Sequence, residues 1–420
     1  MNNNYNSDTI CALATGGGIS AIALLRISGD RSIEIVNKVF SKNLTKKESH
    51  TVHFGNIIID NKIIDEVVIT IFKKNQSFTG EETVEISCHG SKYIQNKILE
   101  ILINNGIRLA NPGEYTMRAF KNGKLDLSQA ESIADLIESE SEAAHKTAIQ
   151  HLRGGFSKKL KLLRQKLIDF ASLIELELDF SEEDVEFANR NQLNNLLNEL
   201  KSEINVLIDS FKLGNVIKNG IPVAILGAPN VGKSTLLNLL LNEDKAIVSD
   251  IAGTTRDSIE DEINIKGYNF RFIDTAGIRK TDDTIENLGI EKTINHADKS
   301  NIIIYLIDAS QNIDNQLDNI KNLSKENQKK IIKVINKIDL NKNLDISTSE
   351  HILISAKENF GTDELKNRIF DFTNLNALDN NNTIVTNQRH YEQLKKTLSE
   401  LKIAIEGLNN GLSGDLLAIN

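Results

Sequence analysis

The 420-residue chain has no tryptophan, three prolines and two cysteines. The cysteines, Cys11 and Cys88, form no CxxC pair, which argues against a disulfide framework or a structural zinc site and fits a reducing compartment. Long apolar runs are missing too. The longest, Ile302 to Ile307, has the length of a strand and not of a membrane span. The opening "MNNNYNSDTI" carries neither the basic nor the apolar stretch of a secretory signal, so a cytoplasmic location without a membrane partner is expected. What is present is ordinary globular composition, 40% apolar and 25% charged, over a length that suggests about two or three domains. The formal charge of -9 requires any nucleic-acid partner to be held by a local basic patch or by another subunit. The basic stretch "RGGFSKKLKLLRQK" reads better as the solvated face of an amphipathic helix, because Leu160, Leu163, Leu167, Phe170 and Ile174 recur at helical spacing.

Periodicity divides the chain into regions. From residue 8 to 120 short β-branched runs ("AIALLRIS", "IIDEVVITIF", "ETVEISCHG") alternate with helical periods such as "YIQNKILEILINNG", which predicts an α+β domain over 1–122. At Ser128 "SQAE" reads as a capping box that opens one long helix with Ile133, Ile137, Ala144 and Ala148 on one face, stopped by Gly154 and Gly155. Two further helices, 157–179 and 191–212, complete a helical bundle over 123–213. "KLGNVIKNG" is read as the break after it. Between 214 and 376 apolar strands ("IPVAILG", "NFRFIDTAG", "SNIIIYLIDAS", "KKIIKVINKID", "HILISA") alternate with helices, the grammar of a parallel sheet covered by helices. Helical periodicity resumes at Asn387, so 377–420 is read as a second part of the helical domain, with the α/β domain inserted between the two parts.

"GAPNVGKST" fits G-x-x-x-x-G-K-[ST] with Gly227, Gly232, Lys233 and Ser234, after a strand and before a helix. Its glycines let N–H groups turn inward around phosphate, so Asn230, Val231, Gly232 and Thr235 are expected at the nucleotide. Lys233 meets the β- and γ-phosphates, and the Ser234 hydroxyl suits Mg²⁺. "DTAG" adds Asp274 for the Mg²⁺ shell, with Thr275, Ala276 and Gly277 beside the γ-phosphate. "NKID" adds Asp339, whose carboxylate can pair the N1–H and 2-amino hydrogens of guanine, with Asn336 and the stacked stem of Lys337. "SAK" (Ser355, Ala356, Lys357) can present N–H groups to guanine O6. Together these motifs predict a GTP-binding domain.

"IDTAGIRK" poses a chemical question, because Ile278 stands after Gly277, where many GTPases place a water-orienting Gln. A hydrocarbon cannot orient water. "SDIAGTTRD" supplies one part of an answer. Thr255 is the candidate to close over Mg²⁺ and γ-phosphate, and Ser249, Asp250, Ile251, Ala252, Gly253 and Thr254 form a compact loop of carbonyls near the side-chain carbonyl of Asn230. Neutral oxygens converging near phosphate suit a monovalent cation such as K⁺, standing in for an arginine finger, whose contribution is ~10³ to 10⁵ in rate.

These residues resemble those of the MnmE (TrmE) tRNA-modification GTPase family over essentially the whole chain. "GAPNVGKSTLLN", "IVSDIAGTTRD" and "IDTAGIRKTDDTIENLGIEK" agree with its G domain. "NPGEYTMRAFKNGKLDLSQAESIADLI" is more specific to it, and "LLRISG", "SFTGEETVEISCHG" and "LDFSEEDVEF" agree as well. The resemblance implies a tetrahydrofolate-binding N-terminal α+β domain, a helical domain and an inserted P-loop GTPase domain. It implies a homodimer whose G domains meet across GTP and K⁺, with Asn230 and the carbonyls of Ser249, Ile251 and Thr254 as K⁺ ligands. It gives Glu286 the role of the missing Gln, although the residues alone read as an exposed carboxylate at a helix start. It assigns Arg26, Glu85 and Lys124 to a 5,10-methylene- or 5-formyl-tetrahydrofolate. Without it, Glu85 is a strand-face carboxylate and Lys124 a turn lysine. The implied reaction is GTP-dependent C5 modification of the wobble uridine (U34) of tRNA to a (carboxymethyl)aminomethyluridine, shared with an MnmG-like partner that brings FAD in a heterotetramer. His89 beside Cys88 invites a metal reading, which is set aside because neighbours on a strand face opposite ways.

The family ends in a further helix and a Cys-Ile-Gly-Lys tail implicated in the modification chemistry. This sequence stops at "GLSGDLLAIN". The expectation is a chain lacking that helix and tail, with GTP hydrolysis retained. "TGGGIS" also departs from the family's Pro- and Arg-containing version. Two competing readings are a GTP-switched ribosome-assembly factor and a tail-less scaffold that binds GTP and folate without modifying tRNA.

Overall fold

In "TVEISCH" the side chains of Val84, Ile86 and Cys88 are buried and those of Glu85, Ser87 and His89 are less so, the alternation of a strand with one face on a core. It belongs to a computed structural model that describes residues 8–179, 190–245, 261–273, 297–318, 320, 330–341, 350–373 and 383–410. The chain divides into two units between Ala134 and Asp135. In the first, the elements run β1 (Ile10–Leu13), β2 (Ile22–Ser28), α1 (Ser32–Val39), β3 (Thr51–Ile59), β4 (Lys62–Phe72), β5 (Thr83–His89), α2 (Lys92–Asn104), β6 (Arg108–Leu109) and α3 (Glu114–Lys121). The six strands are ordered β3-β4-β5-β2-β1-β6, antiparallel except for β1 beside β6. Ile35 and Val36 of α1 and Ile98, Ile101 and Leu102 of α2 join Leu25, Ile27, Ile69 and Ile86 of the strands in one core. Edge strand β3 was not among the runs singled out in the sequence. It is joined to β4 through Asp60 and Asn61, both at positive φ, the two-residue turn that suits strand twist.

Helix α4 (Leu127–Ile137) straddles the division and corrects the long helix expected from Ser128. The reciprocal cap sits two residues earlier: Gln129 N–H donates to Asp126 Oδ1 at 2.9 Å, and Asp126 N–H to Gln129 Oε1 at 3.0 Å. The helix ends at Ile137, which is 80% exposed and not on a buried face. A separate α5 (Glu142–Leu152) starts at Ser141, whose Oγ accepts the Ala144 N–H. The serine ends one helix by capping the next.

α6 (Gly155–Asp179) and α7 (Arg190–Asn219) pack with the helix Gln388–Asn409 around Phe156, Leu163, Leu200, Ile204, Leu401 and Ile405. α7 was expected to end near 212 and instead continues through "KLGNVIKN" to Asn219. Gly214 is there for space: a Cβ would stand 2.0 Å from the Val385 carbonyl oxygen, and Val385 N–H donates to Ser210 Oγ at 3.0 Å. The last turns of α7 then reach another core, where Leu213 and Val216 pack.

That core belongs to a second sheet, made of β7 (Ile221–Gly227), β8 (Asp261–Ile265), β9 (Tyr268–Phe272), β10 (Ile302–Asp308), β11 (Ile331–Asn336) and β12 (Ile352–Leu353), with α8 (Lys233–Lys245) following β7. Its order is β12-β11-β10-β7-β9-β8. All pairs are parallel except β8 with β9, an edge hairpin whose turn is Lys266 and Gly267, both at positive φ. The expected parallel sheet therefore carries one antiparallel edge. Alternate residues of β10 feed two cores, Ile304 and Leu306 on one side and Ile303, Tyr305 and Ile307 on the other, as in a sheet covered on both faces. Among the described residues no helix is long and apolar enough to cross a membrane.

Candidate active site

The parallel strands β7, β10 and β11 end side by side at Gly227, Asp308 and Asn336, so the loops that follow share one edge of the sheet, where open α/β sheets bind ligands. Backbone shape dominates the first loop. Gly227 has φ +146°, and a Cβ there would lie 2.5 Å from the Leu306 carbonyl oxygen. Gly232 has φ +100°, and its Cβ would lie 2.4 Å from Asn336 Nδ2. Asn230 is left-handed at φ 58°, a conformation its short amide tolerates. Lys233, the first residue of α8, folds back so that Nζ donates to the Gly227 and Ala228 carbonyls at 2.9 and 2.8 Å, and burial lowers its pKa. Ser234 and Thr235 follow in the first turn of α8, where N–H groups and dipole favour an anion.

The expected base-recognition residues form a connected shelf. Asn336 is buried, and its amide is used at both ends. Nδ2 donates to the Val231 carbonyl at 2.8 Å, and Oδ1 accepts the Ala356 N–H at 3.0 Å. It therefore ties the phosphate loop to the Ser355–Lys357 turn. Asp339 accepts the Ser355 hydroxyl at 2.7 Å, and the turn is closed by paired bonds between Ser355 and Phe360. Lys337 is left-handed, with Nζ 2.7 Å from Asp308 Oδ2. Asp308 was not singled out in the sequence. Burial works to raise its carboxyl, but Lys337 and Ser310 bring it below the ordinary carboxylate range. The run "IDAS" at the end of an apolar strand was the only local signal of it.

Ser249 to Thr255, Asp274 to Gly277, Ile278 and Glu286 lie outside the described residues. So the expected K⁺ carbonyls, the closing threonine and the water-orienting glutamate are not part of the geometry above.

In the first unit, Arg26 and Glu85 are register partners on β2 and β5, and the guanidinium donates to Glu85 Oε1 at 2.8 Å from Nε. Arg26 Cζ lies 5.8 Å from the ring centres of both Phe78 and Tyr115, and the Tyr115 hydroxyl donates to the Arg26 carbonyl at 2.6 Å. Lys124 Nζ donates to the Asn75 carbonyl at 3.0 Å, and Asn122 Nδ2 to the Thr79 carbonyl at 2.7 Å, so both fasten the loop that carries Phe78. Joined to that loop through Glu81 is a network with no signal in the sequence motifs. Arg118, 4% exposed, meets Glu114 (1% exposed) at 2.9 Å, Asp8 at 2.7 Å and Glu81 at 3.2 Å. Arg108 adds contacts to Glu114 at 2.7 Å and Asp8 at 2.8 Å. The bonds from Arg108, with further help from the Asn111 N–H and Arg118, pull the Glu114 carboxyl down to about 2 against the opposing effect of burial. Phe78 and Glu81 come from "SFTGEE" and Tyr115 and Arg118 from "NPGEYTMRAF", two stretches singled out only as signatures.

His89 and Cys88 face opposite ways: Nδ1 of the exposed imidazole is 2.7 Å from Asp65 Oδ1, and the Cys88 thiol is buried, with a pKa pushed up to about 11. Among the described residues no group of three or more His, Cys, Asp or Glu is arranged to hold a metal ion.

The profile of the TrmE N-terminus, described as that of a GTP-binding protein, matches residues 9–124, and the profile of the MnmE helical domain matches residues 127–420. The tRNA modification GTPase MnmE of Flavobacterium johnsoniae is 52% identical over 432 residues, covering 99% of this chain and 93% of that protein. The protein of the same name from Flavobacterium psychrophilum is 53% identical over 428 residues, covering 98% and 92%. That from Christiangramia forsetii is 51% identical over 441 residues, covering 99% and 93%. With the phosphate loop, the base shelf and the paired Arg26 and Glu85 all lying within these matches, the chain belongs to the MnmE (TrmE) family of tRNA modification GTPases.

Proposed function

We propose that this chain is the K⁺-stimulated GTPase subunit of a cytoplasmic enzyme that modifies C5 of the wobble uridine of tRNA. It acts as a homodimer, with an MnmG-like FAD protein as partner and a tetrahydrofolate as one-carbon donor. The observation that carries the GTPase part is the convergence of Lys233, Asn336, Asp339 and Ser355 at one edge of a parallel sheet. Family membership and identity above 50% over nearly the full length support the tRNA reaction.

In this reading the N–H groups of the phosphate loop and of α8 hold the phosphates, and Lys233 leaves the loop carbonyls for the β- and γ-phosphate oxygens. Asp339 selects guanine. Both Mg²⁺ and K⁺ suit the described donors: Ser234 offers a hydroxyl at the first turn of α8, and Asn230 an amide carbonyl on a left-handed residue of the loop. When bound, Mg²⁺ and K⁺ supply positive charge beside the phosphates in place of an arginine finger. Thr255 closes the site and Glu286 orients the attacking water, so Ile278 needs no catalytic role. In the first unit the Arg26–Glu85 pair, with Phe78 and Tyr115 near the guanidinium, offers a carboxylate for an amino-pyrimidinone edge, and Lys124 a cation for the glutamate tail of a folate.

The test is GTP turnover in KCl and in NaCl at matched ionic strength, for the chain and for Glu286→Ala. The expected result is strong stimulation by K⁺ that the variant loses. Equal, slow rates in both salts would overturn the cation reading.

A further inference from the structure

Asp308 is fixed through its backbone and through both carboxylate oxygens. It closes β10, is 2% exposed, and lies in register with Asn336 on β11. Its backbone is clamped by one side chain: the N–H donates to Gln316 Oε1 at 2.9 Å, and the carbonyl accepts Gln316 Nε2 at 3.0 Å. One carboxylate oxygen, Oδ1, accepts the Ser310 N–H at 2.9 Å and the Ser310 hydroxyl at 2.6 Å. The other, Oδ2, holds Lys337 Nζ at 2.7 Å. A carboxylate bound on every side and buried at the end of a central strand does not reorient, and the ammonium it holds is therefore fixed in place.

Lys337 has reason to need that. Its backbone is left-handed (φ 66°, ψ 33°), which an ordinary side chain adopts only where its surroundings insist. It sits between Asn336, which spans the phosphate loop and the Ser355–Lys357 turn, and Asp339. A lysine stem has many rotamers, and ordering them when a ligand arrives weakens binding. With its two ends fixed, by the strained backbone and by Asp308, the stem is an aliphatic strip of set position before any ligand is present.

We infer that Asp308 is a positioning residue for the nucleotide: by holding the Lys337 ammonium it presents the lysine stem as a preformed platform for the purine ring, and so sets guanine-nucleotide affinity without touching the nucleotide. The inference rests on the reading of this edge as a guanine-nucleotide site. It separates two tasks, stacking under Asp308 and base selection under Asp339. Losing the first weakens every purine nucleotide alike, and losing the second changes the preference among them.

The experiment measures binding of a fluorescent GDP analogue, steady-state GTP hydrolysis and competition by GTP and XTP in the full chain, in Asp308→Asn, in Lys337→Met and in the double variant. Asp308→Asn keeps an acceptor for Ser310 and loses the charge. It is expected to raise Kd and KM by on the order of fivefold, the scale of ordering one rotamer-rich side chain, with kcat at saturation and the GTP-to-XTP preference unchanged. Lys337→Met keeps an aliphatic stem without its anchor and is expected to lose affinity by a similar factor, with the double variant no worse than either. Wild-type affinity in Lys337→Met, or additive losses in the double variant, would overturn the inference even if Asp308→Asn does not fold. A proportional fall in kcat would do so as well, since it would place Asp308 in the chemistry. Absence of nucleotide binding by the unmodified chain would instead overturn the reading of the site itself.

Discussion

The nucleotide edge and the Arg26 region solve the same problem, holding charged groups in place, by opposite means. At the nucleotide edge, position comes from backbone: two glycines at positive φ with no room for a Cβ, a lysine resting on loop carbonyls, and an asparagine that ties two loops by their main chain. Among the described residues there, the ion pair involved is Asp308 with Lys337. In the Arg26 region, position comes from side-chain charge. Asp8, Glu81, Glu114, Arg108 and Arg118 form one network that reaches the Phe78 loop through Glu81. A backbone cradle tolerates little change of residue and is insensitive to titration. A charge network tolerates changes of shape, but it fails when one partner is removed or protonated.

The strongest way to break this contrast is Arg118→Met. Removing this buried cation takes away the arginine of Glu81 and leaves Glu114 and Asp8 with Arg108 alone, a loss expected at about 3–5 kcal/mol of stability. It should appear in thermal melting and as faster hydrogen exchange in peptides covering 81–89 and 108–121. Affinity for a fluorescent GDP analogue, measured in the fraction that remains folded, should be unchanged. A loss of nucleotide affinity of the same size would mean that the regions are not separately built.

The converse change is Gly232→Ala. The new Cβ would crowd Asn336 Nδ2 at a φ that side chains rarely adopt. Nucleotide affinity is expected to fall by about 10²-fold or more, comparable to losing a preorganised donor, while exchange in 81–121 stays as it was. Gly16→Ala is the control. A Cβ there meets nothing within 4 Å, so stability should stay within about 0.5 kcal/mol. If Gly232→Ala binds normally, the loop adapts, and the backbone account of the site is wrong.

The same contrast explains what the sequence disclosed. A cradle made of backbone needs glycine at fixed spacing, so Gly227, Gly232 and Lys233 could be read within a nine-residue window. The network cannot be read that way: Arg118 reaches Asp8 across 110 residues and Glu81 across 37. Asn336 was legible as a site residue but not in its bridging role, because its partners are 105 and 20 residues away. Helix ends failed for a related reason. Gly214 looks like a breaker until the Val385 carbonyl is placed against it, and Ser141 is silent until its Oγ is seen on the Ala144 N–H.

The smallest expected effect is a matter of pH. The Glu114 carboxyl is held down at about 2, with Arg108 as the leading cause, below the ordinary value of about 4.3. A group whose pKa is depressed in the folded state stabilises it above the unfolded value, and that stability is lost as pH falls through the folded value. The first unit should therefore weaken between roughly pH 4.5 and 2, by about 1–3 kcal/mol from this group. Arg108→Gln removes the leading cause and raises the folded value toward the unfolded one. The variant should be less stable at neutral pH but flatter across the acid window, so that the two proteins converge near pH 2. Hydrogen exchange of peptides 108–121 at stepped pH measures this directly. Parallel acid profiles for the chain and Arg108→Gln would show that Arg108 is not what sets the titration of Glu114.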